Sequence, residues 1–129
     1  MEQETKSLHR LKSQEEISFV FLNGFKFKKN YWQFHFLPHQ EFSGTLHFAI
    51  SAPKRNYKLA VHRNFCKRIM REAMKNAFRQ YSNQFALDGK LLVLCKGRDL
   101  PNYFDCFQAF SLFFTEFSPV IKEQLMKPR

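Results

Sequence analysis

Residues 59 to 81 contain neither Gly nor Pro and are rich in Ala, Met, Arg and Lys, a composition that favours one long helix, the longest of the chain. With Arg63 at zero and a step of about 100° per residue, Lys67 falls at ~40°, Arg71 at ~80°, Lys75 at ~120°, Arg68 at ~140° and Arg79 at ~160°. Phe65, Cys66, Ile69, Met70, Ala73 and Ala77 fill the arc from roughly 200° to 340°. Such a helix is expected to lay its apolar arc on another layer and show a cationic ridge outward.

The other layer is visible as a change of period. Phe25 and Phe27, then Trp32, Phe34 and Phe36, alternate with Lys26, Lys28, Gln33 and His35 until Pro38, which predicts strands with one wet face. Leu46, Phe48 and Ile50 repeat the pattern after Ser43-Gly44 and are expected to complete an antiparallel meander. Lys90 to Lys96 is a nearly continuous apolar run after Asp88-Gly89, typical of a central strand buried on both faces. A short first helix is bounded by the Ser13/Glu16 capping box and Asn23-Gly24. A last helix starts at Asn102, which Asp105 follows at the third position, and carries Phe104, Phe107, Phe110, Phe114 and Phe117 on one broad core face until Pro119. The order αβββαβα predicts an α+β two-layer sandwich: a four-stranded sheet and one long basic helix. The 129 residues read as a single domain with an ordered core over about residues 8–118.

Twenty-one Lys and Arg against eleven Asp and Glu give a net charge of +10 and a pI near 9.8, so the partner is expected to be a polyanion, nucleic acid or membrane surface. Nine basic residues and one acid, Glu72, stand between Lys54 and Arg79. A solubility face would mix signs, whereas this one favours Arg, whose planar fork binds phosphate bidentately. A membrane-surface helix needs bulky apolar residues free to enter lipid, and this arc is mostly small. A polar N-terminus and no run of eighteen apolar residues predict neither signal peptide nor membrane span, hence a cytoplasmic protein.

Cys66, Cys95 and Cys106 lack C-x-x-C spacing and read as interior thiols. His35 could meet His39 or His47 across strands only by chance, and no metal site is expected in the protein. A nuclease acting alone would need clustered carboxylates or a His pair. Glu15, Glu16 and Glu72 belong to caps and helix faces, and Asp88, Asp99 and Asp105 to turns or a helix start, so no catalytic residue is assigned. A structural rRNA-binding or ribosome-assembly protein fits the same composition.

Ala60-Val61-His62-Arg63-Asn64-Phe65-Cys66-Lys67-Arg68-Ile69-Met70-Arg71-Glu72 resembles the A-V-x-R-N-x-x-K-R-x-x-R-E signature of the bacterial ribonuclease P protein component. The core R-N-x-x-K-R-x-x-R is complete, and the element order agrees from about residue 11 to 115. The resemblance implies a subunit of a hydrolytic endoribonuclease, a ribonucleoprotein whose catalytic centre lies in its RNA and which removes the 5′ leader from precursor tRNA. It implies that Arg63, Asn64, Lys67, Arg68 and Arg71, with Lys75 continuing the ridge, bind the RNA subunit. Magnesium would be held mainly by that RNA. The leader would lie between the first helix and the wet sheet face, against Ile17, Phe21 and His35 and beside Lys54 and Arg55. The implied partners are ribonuclease P RNA and precursor tRNA, with no obligate protein partner. Relatives usually carry an aromatic at Ile17 and His35, a Gly at Lys58 and a basic residue at Phe65.

Overall fold

Alternating apolar residues need neighbours on both edges as well as a covered face, and the way this chain supplies them departs from the simplest reading. The structure, a computed structural model, describes residues 7–39, 45–52, 59–81, 88–96 and 101–126. Its elements are β1 (Ser7–Arg10), α1 (Gln14–Asn23), β2 (Phe25–Lys29), β3 (Trp32–Pro38), β4 (Thr45–Ser51), α2 (Ala60–Tyr81) and β5 (Gly89–Cys95). They are followed by α3 (Tyr103–Leu112), a π-helical turn (Phe113–Phe117) and α4 (Ser118–Met126).

The α+β class is as expected, but the sheet has five strands, not four, in the order β1-β4-β5-β3-β2. β2 and β3 form the predicted antiparallel hairpin, turned at Asn30, whose left-handed φ of 55° suits an Asn. β4 does not complete a meander. β5 lies between β3 and β4, antiparallel to the first and parallel to the second. An apolar strand buried on both faces gains most from a full ladder on each edge, and α2 is long enough for the parallel crossover that places it there. β1, the strand not foreseen, pairs parallel to the outer edge of β4.

The pleat sorts the sheet into two faces. Phe34, Phe36, Leu46, Phe48, Leu91 and Val93 face α2, α3 and the π turn in the main core. Leu92, Leu94 and Ala49 face α1 in a smaller cluster with Leu11 and Val20. All three cysteine thiols are buried. Burial, with Cys95 and Asp105 nearby, pushes the Cys106 thiol up to about 12.

α1 starts as predicted, the Glu16 N–H donating to Ser13 Oγ at 3.3 Å. Glu16's carboxylate turns away from the cap to Lys90 Nζ, 3.4 Å away, and clips α1 to β5. Gly24 ends the helix in extended conformation (φ −76°). A Cβ there would stand 2.8 Å from the Val20 carbonyl oxygen and 3.0 Å from the Phe36 backbone, so close approach, not a left-handed turn, requires glycine.

Asn102 caps α3, its Oδ1 accepting the Asp105 N–H at 2.8 Å. Phe110, Phe113 and Phe114 are fully buried, whereas Phe104, expected in the core stripe, is 63% exposed. Pro119 does not end the helix, which runs on to Met126. A proline inside an α-helix lacks an N–H and clashes with the preceding turn. Just before Pro119 the ladder changes register, the Ser118 N–H bonding back to the Phe113 carbonyl in the π turn. Ser118 Oγ then donates to the Phe114 carbonyl at 2.8 Å, an acceptor that Pro119, having no N–H, leaves open. Ser118 is only 3% exposed. Ser118→Ala should therefore lower stability by about 1 kcal/mol, seen as an earlier urea midpoint at unchanged m-value. An unchanged midpoint would show that this carbonyl does not depend on the hydroxyl.

Candidate nucleic-acid interface

The buried side of α2 consists of Cys66, Met70, Ala73, Met74, Ala77 and Phe78. On the helical wheel these span roughly 280° through zero to 60°, so the core arc is rotated from the one read in the sequence. Met74 and Phe78 cause the rotation, and Phe65, expected in the core, is 50% exposed. One flank of the helix, with half-buried Ile69 and Asn76, faces α3, where Asn76 Nδ2 donates to Tyr103 Oη at 2.6 Å. Arg63, Lys67 and Arg71, four residues apart and each half-buried, step from within the core arc to its edge opposite Ile69 and Asn76. Asn64, Arg68 and Lys75 continue outward from it, exposed. The six ridge residues therefore occupy one continuous side of the helix, but three of them, Arg63, Lys67 and Arg71, are half-buried instead of standing on the crest.

Lys67 and Arg71 line a pocket of about 120 Å³ with Arg10, Leu11, Ile17 and Ile50. This places Ile17, from the leader set, beside two residues of the ridge set. Burial, then the charges of Arg10 and Arg68, lower the Arg71 guanidinium from its ordinary value. Arg10 was missed because its strand of four residues carries no pattern long enough to detect.

On the α1 side, Ile17, Ser18, Phe21 and Leu22 face Ser51, Leu92 and Leu94 across an open, largely apolar cleft of about 360 Å³. Phe21 is 45% exposed. Its ring lies 4.7 Å from that of His35 with a 32° tilt. His35 itself is buried beneath that ring, next to Gln33, and does not line the cleft. Burial, then Lys26 and Lys96, hold its pKa below the usual histidine value, so the imidazole is neutral at neutral pH. Lys54 and Arg55 lie outside the described residues.

Among the described residues the acids are dispersed. Asp88's carboxylate accepts the Thr45 N–H at 3.2 Å, Glu16 pairs with Lys90, and Glu72 is exposed on α2. His47, not His35, meets His39 (ring centroids 6.1 Å apart) and stacks on His9 at 5.4 Å. Among the described residues no group of three His, Cys, Asp or Glu side chains could hold a metal ion. No helix among them is long and apolar enough to cross a membrane.

Fold and site together define an α+β domain with a preassembled cationic helix flank beside an apolar, aromatic-edged cleft. The chain belongs to the Ribonuclease P family, whose model matches residues 5–117. Its fold is similar to that of the Staphylococcus aureus RNase P protein, with a TM-score of 0.58 and 17% identity over 88% of this chain and 94% of that one. A mutant of the S. aureus protein with defective mRNA degradation activity matches with a TM-score of 0.58 and 19% identity over 88% and 87% of the two chains. The RNase P protein of Thermotoga maritima matches with a TM-score of 0.54 and 17% identity over 91% of each. No curated protein sequence matches the chain.

Proposed function

We propose that this chain is the protein subunit of ribonuclease P, acting in the cytoplasm. It binds the catalytic RNA through Arg63, Asn64, Lys67, Arg68, Arg71 and Lys75, and receives the 5′ leader of precursor tRNA in the cleft beside Ile17 and Phe21. The observation that carries this reading is the meeting of the two sets: Ile17 shares a pocket with Lys67 and Arg71 in a chain matched by the family over residues 5–117.

Two RNAs brought together repel through their phosphates, and a fixed row of cations lowers that repulsion without an ordering cost at the moment of assembly. The apolar cleft suits unpaired bases, which stack on an aromatic edge with little regard to sequence. Phe21 supplies that edge, with neutral His35 supporting it from below, and Lys54 and Arg55 are proposed to meet the leader's phosphates. The five Lys and Arg side chains of the ridge offer only N–H donors, which cannot ligate a cation, so magnesium would be held mainly by RNA phosphates, where it would supply the Lewis acidity for hydrolysis. The protein contributes binding and orientation, and no second protein is needed.

The test is cleavage of a precursor tRNA by a bacterial ribonuclease P RNA at low magnesium, with and without this chain. Stimulation that requires the RNA subunit is expected. Tight RNA binding without stimulation would indicate a structural rRNA-binding protein instead, and cleavage by the protein alone would place the nuclease in the chain.

A further inference from the structure

β1 extends the cationic surface in a direction that the helix alone does not define. Its Arg10 stands opposite Phe48 in the parallel ladder with β4. The Leu11 N–H, donating to the Phe48 carbonyl at 2.7 Å, holds the strand's end in place. Between this edge and the C-terminal half of α2 runs a groove of about 520 Å³. Leu8, Phe48 and Phe78 form its apolar lining, and Arg10, Arg71, Lys75 and Arg79 its cationic lining. Among the described residues no Asp or Glu lines it.

Four cations gathered around one groove repel one another, and the arrangement gains free energy only when an anion enters. Three of the four are arginines, whose forks grip phosphate oxygens in pairs. Arg71, Lys75 and Arg79 succeed each other every four residues, about 6 Å apart along the helix, a row that follows an extended backbone rather than a single ion. The apolar lining is unsuited to a free inorganic anion and suited to the face of a ribose or base. The groove is also continuous with the sites above: Arg10 and Arg71 line both it and the smaller pocket, and Ile17 lines both that pocket and the cleft.

We infer that Arg10 and Arg79 make this groove a second backbone-binding track for an RNA strand, with Arg71 and Lys75 shared between it and the ridge. This rests on the reading of the chain as an RNA-binding subunit. The strand's phosphates lie along Arg10, Arg71, Lys75 and Arg79, and one nucleotide rests its sugar or base over Leu8, Phe48 and Phe78. The interface thereby reaches past the signature segment to the sheet edge.

The test uses the full chain and ribonuclease P RNA, with affinity measured as a function of salt. Arg10→Gln and Arg79→Gln should each weaken binding about tenfold and flatten the log–log salt slope by about one. Arg10→Lys, which keeps the charge and loses the fork, should restore the slope but not the whole affinity. Lys122→Gln, in α4 and outside the groove, sets the effect of net charge alone. Thermal midpoints measured in parallel show whether each variant is folded. A paired Arg63→Gln/Lys67→Gln variant separates the two readings. If it weakens binding while Arg10→Gln/Arg79→Gln behaves like Lys122→Gln, the groove is overturned and the ridge stands. If neither pair weakens binding, the RNA-subunit reading falls and the groove falls with it.

Discussion

Replacing Arg63, Lys67 and Arg71 together with Gln is expected to lower affinity for ribonuclease P RNA by about a thousandfold, at roughly 1.5 kcal/mol for each charge-assisted hydrogen bond to phosphate removed. The salt slope should flatten by about three, one unit per phosphate released. The geometry supports so large an effect because these three side chains are half-buried on the flank of α2. Partial burial restricts their stems, so less side-chain entropy is lost on binding than for residues on an open crest. Stability should not fall in step. The three cations are spaced i, i+4, i+8, and removing each like-charge pair relieves a few tenths of a kcal/mol of repulsion. A loss of binding in a variant still folded at the assay temperature, checked by its thermal midpoint, therefore separates an interface from a folding defect. An unchanged slope would remove this flank from the RNA interface.

The features legible in the sequence are those in which local pattern and final environment coincide. The span of α2, the two caps at Ser13 and Asn102, and the core-facing set Trp32, Phe34 and Phe36 are fixed by neighbours within a few residues, whereas the wet face expected opposite that set is not found in β3, where Gln33 and His35 are each 2% exposed. Pairing order is not fixed by such neighbours. β4 shows which of its faces is apolar, but nothing in Thr45–Ser51 tells whether β3 or β5 lies beside it, because backbone hydrogen bonds form the ladder. β1 escaped for a related reason: Ser7-Leu8-His9-Arg10 is a short polar edge strand, and edge strands are kept short and charged. The rotated core of α2 has another origin. Met74 and Phe78 lie on the wheel among the cations, and only packing against the sheet and α3 decides which residues of that mixed sector turn inward. That rotation sets Lys67 and Arg71 beside β4 and brings Arg71 to Arg10. The candidate residues were thus legible from the signature, while their partnership with Arg10 and Ile17 required the tertiary structure.

Phe34→Ala should be the most damaging single change to the fold, at about 3–5 kcal/mol. Phe34 lies in β3, which pairs on both sides, opposite Phe27 and Val93, and it has no solvent exposure. Its ring stacks on Phe113 at 5.8 Å and meets Phe110 and Phe117 edge-on at 6.3 and 5.8 Å. Truncation opens a void among rings anchored on separate elements: the sheet, α3 and the π turn. Rings so anchored cannot all move in to fill it, and their geometric preferences go unmet as well as the buried area being forfeited. For a domain whose total stability is on the order of 5–15 kcal/mol, this is a large fraction, and the thermal midpoint should fall by more than about 10 °C. Phe34 points away from the α1 cleft and does not line the groove beside α2. RNA affinity measured well below the midpoint should therefore stay near that of the parent chain. A destabilisation below about 1 kcal/mol would mean that the aromatic layer closes over the gap, and a large drop in affinity in the folded variant would mean that the sheet transmits packing strain to the cationic flank.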